Sequence, residues 1–290
     1  MREPARQAAG NPAAAVPVDS AAAAGPAGPD APLLVTDDGA VRWLTLNRPA
    51  AYNAFDETLK PLLLQAISAA AEDPAVRAVV VTGAGKAFSS GQDLKDHLRL
   101  MRDDPARAAA TVTEFYNPMI SAVRQAPKPV IAAVNGVAAG AGAGLALACD
   151  LRIAAESASL RTSFAGVALS ADSGLTVTLP RLIGSGRARR MLLLDEPLDA
   201  ATALAWGAVD RVVPDAELRA AAGELAGRFA AGPTLAYGWM KRSLDVSAES
   251  DFAAALDTEA RAQLACFGSR DHAAALAAFA EKRRPEFQGR

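Results

Sequence analysis

Residues 128–155 read KPVIAAVNGVAAGAGAGLALACDLRIAA, and this stretch decides the fold class. The unbroken apolar run VIAAV (130–134) is typical of a strand buried on both faces, as in a parallel sheet that helices cover. The small-residue segment 140–148 predicts a helix, and LRIAA (151–155) predicts the next strand. This order of strand, helix and strand predicts an α/β fold.

The same order extends toward the amino terminus. RAVVVTG (77–83) is a second unbroken apolar run, and the Gly/Ser-rich segment GAGKAFSSGQD (83–93) follows it. Further upstream, LLVTDDG (33–39) and VRWLTLNRP (41–49) predict two strands that are joined by a turn at 37–39. The predicted sheet therefore begins with this hairpin.

The spacing of apolar residues predicts helices around these strands. In the first half of the chain they span 56–71, 93–103 and 107–126, with Asp56 as the N-cap of the first. From about residue 185 the chain is predicted to be mostly helical, with one short strand, DRVVP (210–214). The predicted helices there are 186–195, 199–206, 215–231, 233–246, 249–266 and 270–281.

Composition shifts divide the chain into three parts. Residues 1–30 are rich in Ala, Pro and Gly and predict a disordered tail. We expect the α/β core at 31–210 and a helical region at 211–290, whose apolar stripes suit oligomerisation.

The composition also excludes several classes of function. The 290 residues carry a formal net charge of -2, so bulk charge supports neither a nucleic acid nor a membrane surface as partner. Two cysteines and two histidines without metal or disulfide spacing predict no metal site and a reducing, cytoplasmic compartment. The sequence contains no run of ~20 uncharged apolar residues that could span a bilayer.

Two glycine-rich segments, 88–94 and 135–144, each follow a buried strand and open a helix. The carboxyl ends of parallel strands share one sheet edge, where ligands bind. Two helix amino termini side by side can hold one oxygen atom that gains negative charge. Tight helix–sheet packing is the alternative for either segment alone. A dinucleotide site fits less well, because the second segment contains G-x-G-x-G instead of G-x-G-x-x-G.

Several motifs in order carry a family resemblance. They are LTLNRPAAYNAF (44–55), AVVVTGAGKAFSSGQDL (78–94), the segment 128–158, LPRLIG (179–184) and AAFAEKRRPEF (277–287). From about residue 33 to 290 the chain resembles the crotonase (enoyl-CoA hydratase/isomerase) superfamily. GQDL, FYNP (115–118) and NGVAAGAGA look most like its phenylacetate-pathway isomerase branch. The resemblance implies a repeated ββα spiral core with a helical C-terminal subdomain, and homotrimers or hexamers. It also implies an acyl-CoA thioester substrate without a separate cofactor, because coenzyme A is part of the substrate.

The resemblance also implies roles for single residues. The backbone N–H groups of Gln92 and Ala141 occupy the oxyanion-hole positions and would hold the thioester oxygen as an enolate forms. Phe279 and Lys282 match positions that close over coenzyme A in related enzymes, often from a neighbouring subunit. The other substrate-binding residues that we expect are Lys86, Phe88, Ser90, Asp93, Tyr116, Asn117, Gly140 and Phe164.

One acidic residue, Asp172, is the candidate proton carrier. In the hydratase branch two glutamates do this work, and their places hold Gly144 and Phe164 here. Asp172 can be interpreted as a helix N-cap. In the isomerase branch, and in dienoyl-CoA isomerases, an aspartate at this place carries the proton. A single base suits isomerisation, because one group removes a proton and returns it elsewhere. Small residues at Gly144, Gly166 and Ala168 suggest room for a bulky acyl group.

Other polar residues have plainer interpretations. We expect Asp93 to cap the helix after Gln92, Asp150 to fix a strand start through backbone hydrogen bonds, and His97 to face solvent. Tyr116 can line the pocket or be a core aromatic residue with a wet tip.

The function predicted is therefore an enoyl-CoA isomerase that acts through a thioester enolate, with Asp172 as catalytic base. The alternatives are a hydratase (a lyase) that uses Asp172 with water, and a non-catalytic acyl-CoA-binding relative. Dehalogenation of 4-chlorobenzoyl-CoA, which another member of the superfamily performs, fits poorly. The places of that enzyme's histidine base and tryptophan hold Asn117 and Phe164.

Overall fold

Ten strands form two sheets in the part of the chain that the computed structural model describes, residues 28–290. All of the predicted tail before residue 28 lies outside the described residues. The strands are β1 (Leu33–Asp38), β2 (Val41–Leu46), β3 (Ala78–Gly83), β4 (Ala87–Ser89), β5 (Val130–Val134), β6 (Val137–Ala139), β7 (Leu151–Ala155), β8 (Ser159–Arg161), β9 (Leu198–Asp199) and β10 (Arg211–Val213).

The chain alternates between the two sheets. The larger sheet has the order β1-β2-β3-β5-β7-β10, parallel apart from β1, and the smaller has the order β4-β6-β8-β9, parallel apart from β9. Strands β3, β5 and β7 enter the larger sheet, and in each case the next strand of the chain enters the smaller sheet before a helix follows. The predicted α/β class and the repeated ββα spiral are confirmed.

Twelve α-helices surround these sheets in the described chain. They are α1 (Leu59–Glu72), α2 (Leu94–Asp103), α3 (Pro105–Thr111), α4 (Asn117–Gln125), α5 (Ala141–Ala148), α6 (Leu175–Ile183), α7 (Ser185–Leu194), α8 (Ala200–Trp206), α9 (Leu218–Ala230), α10 (Thr234–Ser247), α11 (Phe252–Phe267) and α12 (Arg270–Ala280). Asp56 accepts the N–H groups of Thr58 and Leu59 (3.1 and 2.7 Å), so it caps the start of α1 as predicted.

The helix predicted over 107–126 is confirmed as one continuous helical stretch over 105–125, but its middle is not α-helical. A π-helical turn at Val112–Tyr116 separates α3 from α4. Pro118, at the start of α4, has no N–H to donate to an earlier carbonyl, and this favours the wider turn that precedes it. The last residue of that turn, Tyr116, is buried.

The core continues past the boundary expected at residue 210. Strand β10 pairs with β7, and α9 packs on the larger sheet through Leu218, Ala221, Ala222 and Ala226. The architecture therefore changes after α9, where α10, α11 and α12 form an outer helical layer. Large apolar side chains of that layer are exposed, namely Leu244, Phe252, Leu264, Phe267, Leu276 and Phe279.

Asp150 ties this outer layer to the sheet. Its carboxylate accepts the N–H of Val130 at the start of β5 (2.7 Å), which confirms the expected backbone contact. The same oxygen lies 2.7 Å from the ammonium group of Lys241 on α10. The carboxylate therefore fixes a strand start and an outer helix together.

The smaller sheet packs so closely on its neighbours that side chains are excluded at two glycines. A methyl group on Gly142 would lie 2.4 Å from the Ser89 carbonyl oxygen, and one on Gly136 would lie 2.1 Å from that of Lys86. Real Cβ atoms do not reach these distances, so glycine is required at both positions. The contacts hold the end of β4 against the first turn of α5.

We expect Gly142→Ala to lower the free energy of unfolding by about 1–3 kcal/mol, because the new methyl group overpacks against Ser89. Gly227→Ala, in the exposed part of α9 with open space around it, is the matched control and should be neutral or stabilising by up to about 1 kcal/mol. Urea unfolding at one fixed protein concentration measures both. Equal effects of the two changes would contradict the packing argument.

Candidate active site

The segment 90–93, which follows β4, lies against the loop 52–55. Three backbone hydrogen bonds join them, from Ser90 N–H to Tyr52 O (2.9 Å), from Phe55 N–H to Gly91 O (2.7 Å) and from Asp93 N–H to Phe55 O (3.1 Å). Phe55 and Gln92 form a parallel bridge, in which Gly91 and Asp93, and not Gln92, make the two hydrogen bonds to Phe55. The N–H of Gln92 therefore points away from the loop, and no residue in 28–290 accepts a hydrogen bond from it.

The second free N–H belongs to Ala141, the first residue of α5. Gly140 precedes it with φ +53° and ψ -128°, a backbone conformation that glycine adopts without strain. The N–H of Gly140 donates to Arg161 O of β8 (3.1 Å), which fixes the turn. The N–H groups of a first helical turn have no acceptor within the helix. That of Ala141 also has none elsewhere in the described chain.

Gly91 brings these two segments into contact. A methyl group on Gly91 would lie 3.1 Å from the Ala141 nitrogen and 2.7 Å from the Ala139 carbonyl oxygen. Gly91 itself has φ +83°, again in the region that favours glycine. The free N–H groups of Gln92 and Ala141 therefore lie on neighbouring backbone segments, one at the start of α2 and the other at the start of α5.

Asp172 supplies an unpaired carboxylate. The side chain is half-buried, and no Lys, Arg or His lies within ion-pair distance of it in residues 28–290. The Ser173 hydroxyl donates to its Oδ1 (2.7 Å). Burial raises the pKa of Asp172, and the hydrogen bond from Ser173 opposes that rise. The carboxylate does not cap α6, since Leu175 N–H donates to the Asp172 backbone carbonyl (3.1 Å).

Tyr116 contacts Gln92 and feels the charge of Asp172. Its hydroxyl donates to Gln92 Oε1, in a hydrogen bond between two side chains. Burial raises the pKa of Tyr116, and the negative charges of Asp172 and Glu57 raise it further. Gln92, Tyr116 and Asp172 are called the acyl-site cluster below. Within this cluster Gln92 Nε2 is buried and has no hydrogen-bond partner in the described chain.

Both places of the hydratase glutamates are closed to a second carboxylate. A methyl group on Gly144 would lie 2.4 Å from Ser173 Cβ, so Ser173 occupies the space beside Gly144. Phe164 is buried in the hydrophobic core. The expectation that Gly144 leaves room for a bulky acyl group is therefore wrong.

Asp93, the N-cap of α2, and His97 within α2 were both predicted to lie outside the catalytic machinery. Asp93 accepts the N–H groups of Lys95 and Asp96 and is held by the Arg48 guanidinium (3.1 Å), so its expected capping role is confirmed. The carboxylate is thus engaged within the protein. His97 is partly exposed, but its Nδ1 is buried without a partner in residues 28–290, so that edge of the ring does not face solvent.

The remaining predicted substrate residues differ in burial. The side chain of Phe88 is fully buried in the core, so only its backbone can border a ligand. Substrate contacts of the others stay predictions, since their side chains are exposed in a single subunit; they are Lys86, Ser90, Asn117, Phe279 and Lys282.

Two asparagines that the sequence did not single out hold the site loops. Asn53, buried and with φ +55°, donates to the carbonyls of Ala84 (2.9 Å) and Ala87 (2.8 Å). Asn135 accepts the N–H of Gly83 (3.0 Å). The turn at Asn135 could have been predicted from the sequence, because Asn135-Gly136 directly follows a strand and Asn-Gly is frequent in turns.

The sequence matches the model of one protein family, enoyl-CoA hydratase/isomerase, over residues 36–290. The chain belongs to this family. It is 39% identical over 254 residues to the 1,2-epoxyphenylacetyl-CoA isomerase of Escherichia coli, covering 86% of this chain and 95% of that one. It is 34% identical to the crotonyl-CoA hydratase of Syntrophomonas wolfei, covering 84% and 93%.

Solved structures agree with this family. A crystal structure assigned as an enoyl-CoA hydratase/isomerase from Mycobacterium abscessus superposes with a TM-score of 0.85 at 47% identity, over 89% of this chain and all of that one. An enoyl-CoA hydratase from Bacillus anthracis gives 0.83 at 34% identity, over 89% and 100%. The protein is therefore an enzyme of the enoyl-CoA hydratase/isomerase family with a crotonase fold.

Two other classes of feature are absent from the described chain. None of the helices in residues 28–290 combines the length and apolar character that a membrane span requires. The same residues contain no cluster of three or more His, Cys, Asp and Glu side chains that could hold a metal ion.

The buried carboxylate of Asp172 should make stability depend on pH. Its pKa is raised in the folded protein, so the folded state holds the proton more tightly than the unfolded chain. The charged form therefore lowers the free energy of unfolding above the folded pKa, and this cost is absent below the unfolded pKa. We expect Asp172→Asn to be more stable than the natural protein at neutral pH, with a gap that closes on acidification.

Urea unfolding at neutral and mildly acidic pH measures this gap. Asp103→Asn, which makes the same substitution at an exposed aspartate of α2, serves as the control. A gap that stays constant with pH would count against the burial of a charged Asp172.

Proposed function

We propose that the protein is an enoyl-CoA isomerase in which the N–H groups of Gln92 and Ala141 form an oxyanion hole and Asp172 carries the proton. The observation that carries the proposal is the contact of Gly91 with Ala141, which puts two free backbone donors side by side. Donors fixed in this way stabilise the charge that develops on a thioester oxygen. The loss of one such donor typically costs ~3–4 kcal/mol of transition-state stabilisation.

The proposed reaction uses the two donors and the single base in turn. Both N–H groups bind the thioester oxygen of a 3-enoyl-CoA, and the Asp172 carboxylate removes a proton from the α-carbon. The electron pair moves into the thioester as a dienolate, whose negative oxygen the two donors hold. Asp172 then returns the proton to the γ-carbon, and the double bond ends in conjugation with the thioester. One carboxylate completes the cycle.

The surroundings of Asp172 suit a proton carrier. Partial burial without a cationic partner raises its pKa, which makes the carboxylate a stronger base than an exposed aspartate. The Ser173 hydroxyl holds one oxygen (2.7 Å) and leaves the other free to accept a proton. A charged but partly desolvated carboxylate can therefore alternate between its two protonation states.

Hydration is the second candidate, because the relative from Syntrophomonas wolfei is named a crotonyl-CoA hydratase. Hydration by paired acids requires a second carboxylate. The contact of Gly144 with Ser173 and the buried Phe164 count against one at either usual place. A hydratase built on this chain would have to use Asp172 and a water molecule alone.

We also propose a homotrimer or hexamer in the cytoplasm, with Phe279 and Lys282 closing over the coenzyme A of a neighbouring subunit. The side chain of Phe279 is 84% exposed, and other apolar side chains of the outer helical layer are exposed with it. Patches of this kind mark protein interfaces. Both cysteines, Cys149 and Cys266, are free thiols, as is usual in a reducing compartment.

Substrate choice tests the reaction. We expect the protein to convert a 3-enoyl-CoA into the conjugated 2-enoyl-CoA, which ultraviolet absorbance of the conjugated thioester follows. Crotonyl-CoA should be hydrated slowly or not at all, because one carboxylate serves proton transfer but not paired-acid hydration. Rapid hydration of crotonyl-CoA together with slow isomerisation would replace this proposal by the hydratase.

Asp172→Asn tests the proton carrier. Isomerisation should fall by about 10²–10⁴-fold, since the amide cannot accept the proton, while acyl-CoA binding persists. Asp103→Asn, an exposed aspartate away from the acyl-site cluster, should keep full activity. Unchanged turnover in Asp172→Asn would refute the catalytic role.

A further inference from the structure

The backbone between β8 and α6 is strained at three places. Of the seven non-glycine residues with positive φ in residues 28–290, three lie here, namely Ser163 (+59°), Ala168 (+56°) and Ser173 (+51°). Such conformations cost energy, persist only where surrounding contacts hold them, and concentrate at functional sites. The strained segment, residues 163–173, carries Asp172 and begins two residues after Arg161, the last residue of β8. The contacts that hold its first residue therefore bear on the site.

Asp195 supplies those contacts. Its carboxylate accepts the N–H of Ser163 (2.5 Å) and the hydroxyl of Thr162 (3.3 Å). The same carboxylate lies 2.9 Å from the Arg161 guanidinium, whose Nε also donates to the Asp195 backbone carbonyl (3.2 Å). Only 12% of the Asp195 side chain is exposed. One half-enclosed carboxylate thus engages three successive residues at the end of β8.

The end of helix α7 fixes the position of Asp195. This residue is the C-cap of α7, with φ +54°, and its N–H donates to the Met191 carbonyl (3.0 Å). Aspartate, asparagine and glycine are the residues that tolerate this left-handed conformation best. The Met191 carbonyl also accepts the hydroxyl of Thr162 (2.8 Å). The end of β8 is therefore tied to the end of a helix through both the backbone and the side chain of that helix.

The end of β8 in turn holds the turn that precedes α5. Arg161 pairs with Ala139 in the smaller sheet, and its carbonyl accepts the N–H of Gly140 (3.1 Å). Gly140 directly precedes Ala141, whose N–H is one of the two proposed oxyanion donors. Hydrogen bonds weaken steeply as the donor turns away from its acceptor. A shift of the Arg161 carbonyl would therefore misdirect the N–H of Ala141.

We propose that Asp195 is a positioning residue of the reaction, whose carboxylate holds the end of β8 so that the N–H of Ala141 stays aimed at the thioester oxygen. This inference rests on the proposed function, because it takes the Ala141 N–H as an oxyanion donor. Asp195 acts through Arg161 and Gly140 and not on the substrate itself. Oxyanion stabilisation depends on donors that are fixed before the reaction begins, and Asp195 contributes to that fixation.

Asp195→Gly tests the carboxylate, since glycine adopts φ +54° without strain and is frequent just after a helix. With 3-hexenoyl-CoA as substrate, kcat should fall at least about tenfold and KM should change less than about threefold, because the donor acts mainly in the transition state. Asp195→Asn keeps the left-handed conformation and an acceptor oxygen for Ser163, so its kcat should stay within about threefold of the natural value. Unchanged kcat in Asp195→Gly, or a tenfold loss in Asp195→Asn, would overturn the inference.

Asp215→Gly is the matched control. The Asp215 carboxylate accepts the N–H (3.1 Å) and the hydroxyl (2.5 Å) of Ser157, which lies just before the other end of β8. Its removal takes away the same kinds of contact at a distance from the turn at Gly140. We expect Asp215→Gly to lower Tm and to keep kcat, with circular dichroism confirming that each variant is folded. An equal loss of kcat in this control would assign the effect to general loosening of β8 and overturn the role of Asp195.

A spectroscopic readout separates this inference from the proposed function. The absorption band of cinnamoyl-CoA should move to longer wavelength on binding to the natural protein if the two backbone donors polarise its thioester carbonyl. The shift should be smaller in Asp195→Gly and unchanged in Asp215→Gly. No shift with the natural protein would overturn the oxyanion hole and the inference with it. A full shift in Asp195→Gly would overturn only the role of Asp195.

Discussion

The contact of Gly91 with the first residue of α5 is the constraint on which the rest of the structure depends. It joins two repeats of the ββα spiral, and it needs glycine because a methyl group would lie 2.7 Å from the Ala139 carbonyl oxygen. Gly142 and Gly136 impose the same closeness along the smaller sheet. These close contacts set the spacing between repeats of the spiral. At this spacing the backbone segments that carry the free N–H groups of Gln92 and Ala141 become neighbours. Stability and the proposed anion site depend on the same glycines.

The absence of a side chain at Gly144 and the position of Asp172 are linked through Ser173, which contacts the first and neighbours the second. Without a side chain at Gly144, Ser173 can pack directly against α5 with its Cβ 2.4 Å from the place that a methyl group would take. Ser173 adopts φ +51°, a conformation that costs a non-glycine residue energy. The hydroxyl of this strained residue donates to the neighbouring Asp172 carboxylate (2.7 Å). A side chain at residue 144 would have to displace Ser173, so the glycine and the position of the residue next to Asp172 depend on each other.

The sequence allowed the long elements to be predicted because their signals are local. The apolar runs of β3 and β5 and the spacing of the outer helices are readable in windows of a few residues. The smaller sheet has strands of two or three residues, too short for a period, and only the family resemblance implied it. The hydrogen bond between Tyr116 and Gln92 joins residues 24 positions apart, and Tyr116 ends a π-helical turn. No local sequence pattern predicts either feature. The burial of His97 Nδ1 likewise depends on tertiary packing, which no local sequence pattern predicts.

Gln92 shows how the backbone and the side chain of one residue can be held by separate contacts. Its backbone N–H is fixed by the hydrogen bonds of its neighbours, Gly91 and Asp93, to the loop 52–55, so that donor does not depend on which side chain residue 92 carries. Its side chain is fixed separately, by Tyr116. A change of side chain at residue 92 therefore leaves the hydrogen bonds that fix the backbone donor in place. This separation lets enzymes of one fold keep enolate chemistry while their acyl groups differ.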